Sequence, residues 1–207
     1  IGGTGSGKST LVSLLPRLYD VSRGEVEIFG HNVKEYPARA LRDLFGVVPQ
    51  SAALFSGTVR SNLQWGKSDA TDEEMAQALK VACAYDFIMQ KGGLDEPVTE
   101  AGKNFSGGQR QRLTIARAIV GRPPIIVLDD SCSALDFATD AQVRKNIAAL
   151  KDVTTVIISQ RASSIRNADV IFVMEDGRIA GRGKHDELYE TCPLYREICD
   201  SQSRVLA

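Results

Sequence analysis

Residues 2 to 10, GGTGSGKST, constrain what this chain can fold into more than any other stretch. They fit the spacing G-x-x-x-x-G-K-[ST] at Gly2, Gly7, Lys8 and Ser9, in which glycine-rich backbone amides curl around the phosphates of a nucleotide. Gly3, Thr4, Gly5 and Ser6 make the body of the curl. The Lys8 ammonium reaches the terminal phosphates, and Ser9, followed by Thr10, supplies a hydroxyl to magnesium. KSTLVSLL, residues 8 to 15, predicts a first helix whose N-terminus faces that anion and which Pro16 closes. Such a loop needs a buried strand before it. Only Ile1 precedes it, so the sequence reads as a fragment of a longer polypeptide.

A phosphate loop also needs an acid beside it, and IIVLDD, residues 125 to 130, drives two to the end of an apolar run. A strand ending in Asp places its carboxylate where magnesium or its water shell can be held. That role falls to Asp129. FGVV at 45 to 48, IIVL at 125 to 128, TTVIIS at 154 to 159 and VIFVM at 170 to 174 predict strands, with helical patterns in QRQRLTIARAIV and ATDAQVRKNIAALK between the later ones. The expectation is an α/β core with a mainly parallel sheet and its ligand at the carboxyl ends of the strands.

Between about residue 51 and residue 118 the pattern turns mostly helical. TDEEMAQALKVAC opens with a capping box from Thr71 to Glu74, whereas QKGGLDEPVTEAGKN, residues 90 to 104, reads as an exposed loop. It leads into FSGGQRQRLTIARAI, where Ser106 can cap a helix and Gly107 and Gly108 allow close backbone approach. This is a second helix start suited to an anion. Lys and Arg total 25 against 26 Asp and Glu, so no electrostatic footprint for nucleic acid is evident. No apolar run approaches the roughly 18 residues that cross a bilayer. Cys83, Cys132, Cys192 and Cys199 lack metal-like spacing and read as reduced thiols of a cytosolic protein.

Together these motifs resemble the nucleotide-binding domain of ATP-binding cassette (ABC) transporters over essentially the whole length. GGTGSGKST is similar to the Walker A loop, Gln50 in VVPQ to the glutamine loop, FSGGQ to the signature, IIVLDD to the Walker B strand and SALD at 133 to 136 to the D-loop. RLYDVSRGEVEIFG, LFSGTVRSNL and TEAGKNFSGGQ resemble exporter-type domains in particular. The resemblance implies a P-loop NTPase (RecA-like) core over 1–50 and 119–207 with an inserted helical signature subdomain over 51–118. ATP and Mg2+ are the implied ligands, with Ser9, Gln50 and Asp129 on the metal. Ser106, Gly107, Gly108 and Gln109 would close over a nucleotide held by a second such domain. The implied setting is the cytoplasmic face of the cell membrane, docked on a transmembrane domain of the same polypeptide. The family's adenine-stacking aromatic would lie upstream of Ile1.

Two positions depart from the family pattern. Where the family usually has Glu after the Walker B Asp, as the base that polarises water, this chain has Asp130. Intrinsic pKa values of about 3.9 and 4.3 make basicity similar, but one fewer methylene withdraws the carboxylate by roughly 1 Å, which can cost on the order of a hundredfold. Where the family usually has a switch histidine, this chain has Gln160, which can donate a neutral hydrogen bond but cannot become cationic. Asp130, Gln160 and Gln50 are therefore the catalytic candidates. The pattern resembles heterodimeric exporters with one hydrolysis-impaired site, the intact signature completing the competent site of a different subunit.

Several alternatives remain open from sequence. Asp130 and Gln160 are compatible with tolerated variation in a fully active symmetric ATPase. A soluble, non-transport cassette protein is a third class, although no coiled-coil insertion or basic arm marks it. Asp136 suits either a bridge to an opposite subunit or a local helix cap. Arg110, Arg112 and Arg117 are expected to pin or solvate their helix, and His31, His185 and Trp65 to be structural.

Overall fold

The computed structural model describes residues 1–131 and 134–203. In chain order the elements are α1 (Lys8–Ser13), β1 (Glu27–Ile28), β2 (His31–Asn32), α2 (Ala38–Asp43), β3 (Phe45–Val48) and β4 (Gly57–Thr58). There follow α3 (Val59–Gln64), α4 (Asp72–Val81), α5 (Tyr85–Lys91), β5 (Pro97–Val98), α6 (Gly107–Ile119) and β6 (Ile125–Asp129). The chain closes with α7 (Phe137–Ala148), β7 (Thr154–Ile158), α8 (Ala162–Ile165), β8 (Ile171–Glu175), β9 (Arg178–Gly183), α9 (His185–Thr191) and α10 (Pro193–Ser203). These elements form two compact units, one built from residues 1–37 and 157 onward, the other from 38–156.

In the first unit the backbone leading into the glycine-rich loop lies alongside β8. The Met174 amide donates to the Ile1 carbonyl at 2.8 Å, and Gly2 bridges Met174 in parallel. Only glycine fits at position 2, because a Cβ there would stand 2.2 Å from the Met174 carbonyl oxygen, with φ at +153°. β8 pairs antiparallel with β9, with Glu175 opposite Arg178. The two residues between, Asp176 and Gly177, have φ of 46° and 75°, the double left-handed geometry of a tight hairpin turn. Beneath them Ile1, Ile165, Ile171, Val173, Leu188 and Tyr195 share one apolar core. The Tyr195 hydroxyl meets His185 Nδ1 at 2.9 Å, and burial pushes the phenol up to about 12.

The second unit is organised by β3 and β6, parallel with Phe45 opposite Ile125 and Val48 opposite Leu128. Ile125 to Leu128 are all buried, as expected of a parallel strand covered on both faces. β7 is third in the order β3-β6-β7, and the Thr154 amide donates to the Pro124 carbonyl at 2.8 Å. α4 starts with the expected capping box, Thr71 Oγ1 accepting from Glu74 N while the Glu74 carboxylate accepts from Thr71 N. Its apolar face buries Met75, Ala78 and Leu79.

Two expectations are corrected. The first helix is shorter than KSTLVSLL suggests and ends at Ser13, because its last turn tightens: the Leu14 and Leu15 amides bond three residues back, to the Leu11 and Val12 carbonyls. The segment 90–104 is ordered rather than a plain loop. It holds 3₁₀ turns at Gly93–Asp95 and Glu100–Gly102, and β5 pairs with β4. Val98 is buried there, and Asn104 Nδ2 donates to the Pro97 carbonyl at 2.7 Å. A strand pair two residues long carries no periodicity for a sequence to display.

Candidate nucleotide site

The glycine-rich loop is folded around its own lysine. Lys8 Nζ donates to the Gly2 carbonyl at 3.0 Å, the Gly3 carbonyl at 2.7 Å and Ser6 Oγ at 3.2 Å. Gly5 and Gly7 have φ of 80° and 92°, so the chain turns through left-handed geometry just before α1. Gly7 stands at the N-cap of α1, and no side chain caps that helix. Gly3, Thr4, Gly5, Ser9 and Thr10 are exposed while Ser6 is buried, its carbonyl accepting from the Gly177 amide at 3.1 Å. The loop thus offers one ammonium and several hydroxyls and contains no carboxylate. That donor set suits a polyphosphate anion.

The second unit gathers the acids and the glutamine at one sheet edge. Val48 is opposite Leu128 in parallel register, so Gln50 and Asp129–Asp130 leave β3 and β6 at the same carboxyl end. Both acids are half-buried and Gln50 is exposed. Asp130 has φ of 43°, a left-handed conformation that Asp tolerates because its short side chain can bond to nearby backbone. Among the described residues no three His, Cys, Asp or Glu cluster as a self-contained metal site. Ser9, Gln50 and Asp129 are oxygen donors of the kind magnesium accepts alongside phosphate oxygens and water.

The signature segment is a self-capped helix start. Ser106 Oγ accepts from Gln109 N at 3.2 Å, and Gln109 Oε1 accepts from Ser106 N at 3.0 Å. Gln109 Oε1 is therefore engaged in a capping box, a local role in addition to the ligand contact that the family resemblance implies. Ser106 and Gly107 are exposed at the tip. The three arginines brace this region from inside. Arg110 donates to the Phe105 carbonyl at 2.6 Å, Arg112 donates to the Cys83 carbonyl at 2.6 Å and lies over the Phe87 ring, and Arg117 lies over Phe55. Burial holds the Arg117 guanidinium below its ordinary value. Phe55 also stacks on Trp65 at 4.8 Å, leaving Trp65 exposed.

Asp136 caps α7: its carboxylate accepts from the Thr139 amide at 2.9 Å and the Thr139 hydroxyl at 2.8 Å. These bonds hold its carboxyl below the usual carboxylate range. Cys132 and Ser133, the latter the first residue of the D-loop stretch, lie outside the described residues. Gln160 follows β7 in the first unit with its side chain exposed. Its carbonyl accepts from Gln202 Nε2 at 2.7 Å. Gln202 carries no sequence signal, since the partners are 42 residues apart and an isolated glutamine in a helix means nothing by itself.

Comparisons with known proteins agree with this geometry. The family described as ABC transporter matches residues 1–133. An uncharacterized ABC transporter ATP-binding protein of Mycobacterium bovis is 48% identical over 207 residues, covering 98% of this chain and 35% of its own length. A Staphylococcus aureus chain, provisionally named a multidrug export ATP-binding/permease protein, is 44% identical over 205 residues, covering 98% of this chain and 36% of its own. The solved structure of a bacterial Atm1-family ABC exporter with ATP bound superposes with a TM-score of 0.93 at 38% identity, over 97% of this chain and 36% of that one. The chain thus spans about a third of the length of the relatives it matches. Its fold is the α/β P-loop NTPase fold, and the chain belongs to the ABC transporter family as one of its ATP-binding domains.

Proposed function

We propose that this domain binds Mg-ATP to energise export through a transmembrane domain, at a site of its own that hydrolyses slowly. The carrying observation is a Walker loop of full spacing combined with Asp130 and Gln160 at the two positions where water activation and the terminal phosphate would be served. Lys8 and the loop amides bind the phosphates. Ser9, Gln50 and Asp129 would hold magnesium, which when bound neutralises phosphate charge. The Asp130 carboxylate, withdrawn by one methylene, takes the proton that the attacking water gives up, and Gln160 offers the terminal phosphate a neutral donor in place of an imidazole. Ser106, Gly107, Gly108 and Gln109, at the exposed end of the 51–118 helical subdomain, complete the competent site of a second, different nucleotide-binding domain. Likeness to exporter relatives supports a membrane-docked position on the cytoplasmic face. Among the described residues no helix is long and apolar enough to cross a membrane itself.

The test is steady-state ATP hydrolysis by the full protein, parent against Asp130→Glu plus Gln160→His, after both are shown to bind ATP equally. A rise of about tenfold or more is the expected result. Unchanged hydrolysis by an already fast parent would point instead to a symmetric, fully active ATPase. Glutamate in the left-handed conformation of residue 130 costs about 1 kcal/mol, so the double variant is also expected to melt slightly below the parent.

A further inference from the structure

Gln202, in the last turn of α10, grips the segment after β7 with both ends of its side-chain amide. Nε2 donates to the Gln160 carbonyl at 2.7 Å, and Oε1 accepts from the Ala162 amide at 2.8 Å. Between these two bonds the Arg161 amide donates to buried Ser159 Oγ at 2.9 Å. The backbone of residues 160, 161 and 162 is therefore held by side chains at each step, while the Gln160 side chain stays exposed. Ala162 opens α8, whose N-cap residue Arg161 makes no side-chain cap bond. Gln202 supplies from another helix an acceptor for the first of the amides that the start of α8 leaves without an intrahelical partner.

The grip arrives from a firm platform. One turn or two before Gln202, α10 buries Tyr195 and Cys199 in the core that also contains Ala162 and Ile165, and Ile198 packs against it. The Tyr189 hydroxyl of α9 donates to Asp200 at 2.7 Å. Binding a carbonyl and an amide together requires one donor and one acceptor on a short planar group, which a carboxamide supplies without any change of ionisation.

We infer that Gln202 is a positioning residue for the ATP site: it fixes the peptide that carries Gln160 and ties the direction of that side chain to the seating of α10. This rests on the reading of Gln160 as the residue facing the terminal phosphate. Two measurements on the full protein separate the two claims. The first is hydrogen exchange in peptides spanning 159–165, comparing the parent with Gln202→Ala and Gln202→Glu. Losing the bond is expected to speed exchange of the Ala162 amide by about tenfold in Gln202→Ala, whereas Gln202→Glu, which keeps an acceptor but loses the donor, retains most of the protection. Exchange unchanged in Gln202→Ala would overturn the clasp.

The second measures ATP turnover in an Asp130→Glu background. The gain from adding Gln160→His is expected with Gln202 present and lost with Gln202→Ala, at unchanged KM for ATP. A gain that survives Gln202→Ala despite faster exchange would overturn the positioning role. Should Gln160→His give no gain in either background, the reading of Gln160 fails, and the exchange result alone decides whether the clasp exists.

Discussion

The N-termini of α1 and α6 meet solvent in opposite ways, the chain entering through a left-handed Gly7 (φ 92°) in one and an extended Ser106 (φ −65°) in the other. α1 begins at Gly7, with no side chain capping its first amides and a lysine ammonium drawn into the loop carbonyls. α6 begins at Ser106 and satisfies the Gln109 and Ser106 amides through a reciprocal Ser106–Gln109 capping box, then runs for 13 residues. The difference separates two kinds of anion-facing end. One is left open by its own side chains and carries a positive charge, so an incoming phosphate supplies what the loop itself does not. The other is partly capped by its own side chains and offers an exposed tip. Such a tip fits a surface that closes on a site held elsewhere, and the loop fits the holding.

Substitutions can break this contrast at several strengths. The largest effect is expected from Gly2→Ala, whose Cβ would collide with the Met174 carbonyl; backbone strain of this kind should cost about 3 kcal/mol, seen as a lowered thermal midpoint without any ligand. Lys8→Ala should act on binding rather than on folding. Removing a charge-assisted donor to phosphate is expected to weaken ATP affinity by about a hundredfold, measured by calorimetric titration. Ser106→Ala should do the reverse: about 1 kcal/mol of stability lost with the α6 cap, and an unchanged ATP Kd at the Lys8 loop. An equal affinity loss in both variants would erase the contrast.

The smallest effect concerns pH. Asp136 caps α7 with a carboxyl held below its ordinary value, chiefly by the Thr139 amide. A depressed carboxylate stabilises the fold fully above the unfolded value of about 3.9 and loses that contribution as pH falls through the lower folded value. Asp136→Ala should therefore melt below the parent at neutral pH, and the gap should close only when pH drops well under about 4. A gap independent of pH would show that the carboxylate's charge is not what caps α7.

Residues whose role is set by near neighbours in the chain are legible from spacing alone. The Walker loop, the buried strand IIVL, the Thr71–Glu74 box and the helix after Ser106 each depend on a pattern within a few residues, and the strand and the two helices stand where that pattern places them. The β8–β9 hairpin carries a signal too, Asp176-Gly177 at the turn of two strands, although the apolar run VIFVM marks only the first of them. Segment 97–98 carries none, because its strand identity comes from β4, some forty residues earlier in the chain. Asp136 is an undecided case in sequence: the same side chain suits a cap or a bridge, and its bonds to Thr139 show the cap.

By itself the sequence determined the phosphate loop, the strand–helix alternation, the family and the two unusual residues Asp130 and Gln160, since all of these are written in local spacing and residue type. Only the tertiary structure decided that Gly2 must be glycine and that Gln202 holds the peptide carrying Gln160. The physical reason is range: a pattern records which residues sit on one turn or one strand, whereas a close approach or a bidentate amide bond depends on which distant segments packing brings together.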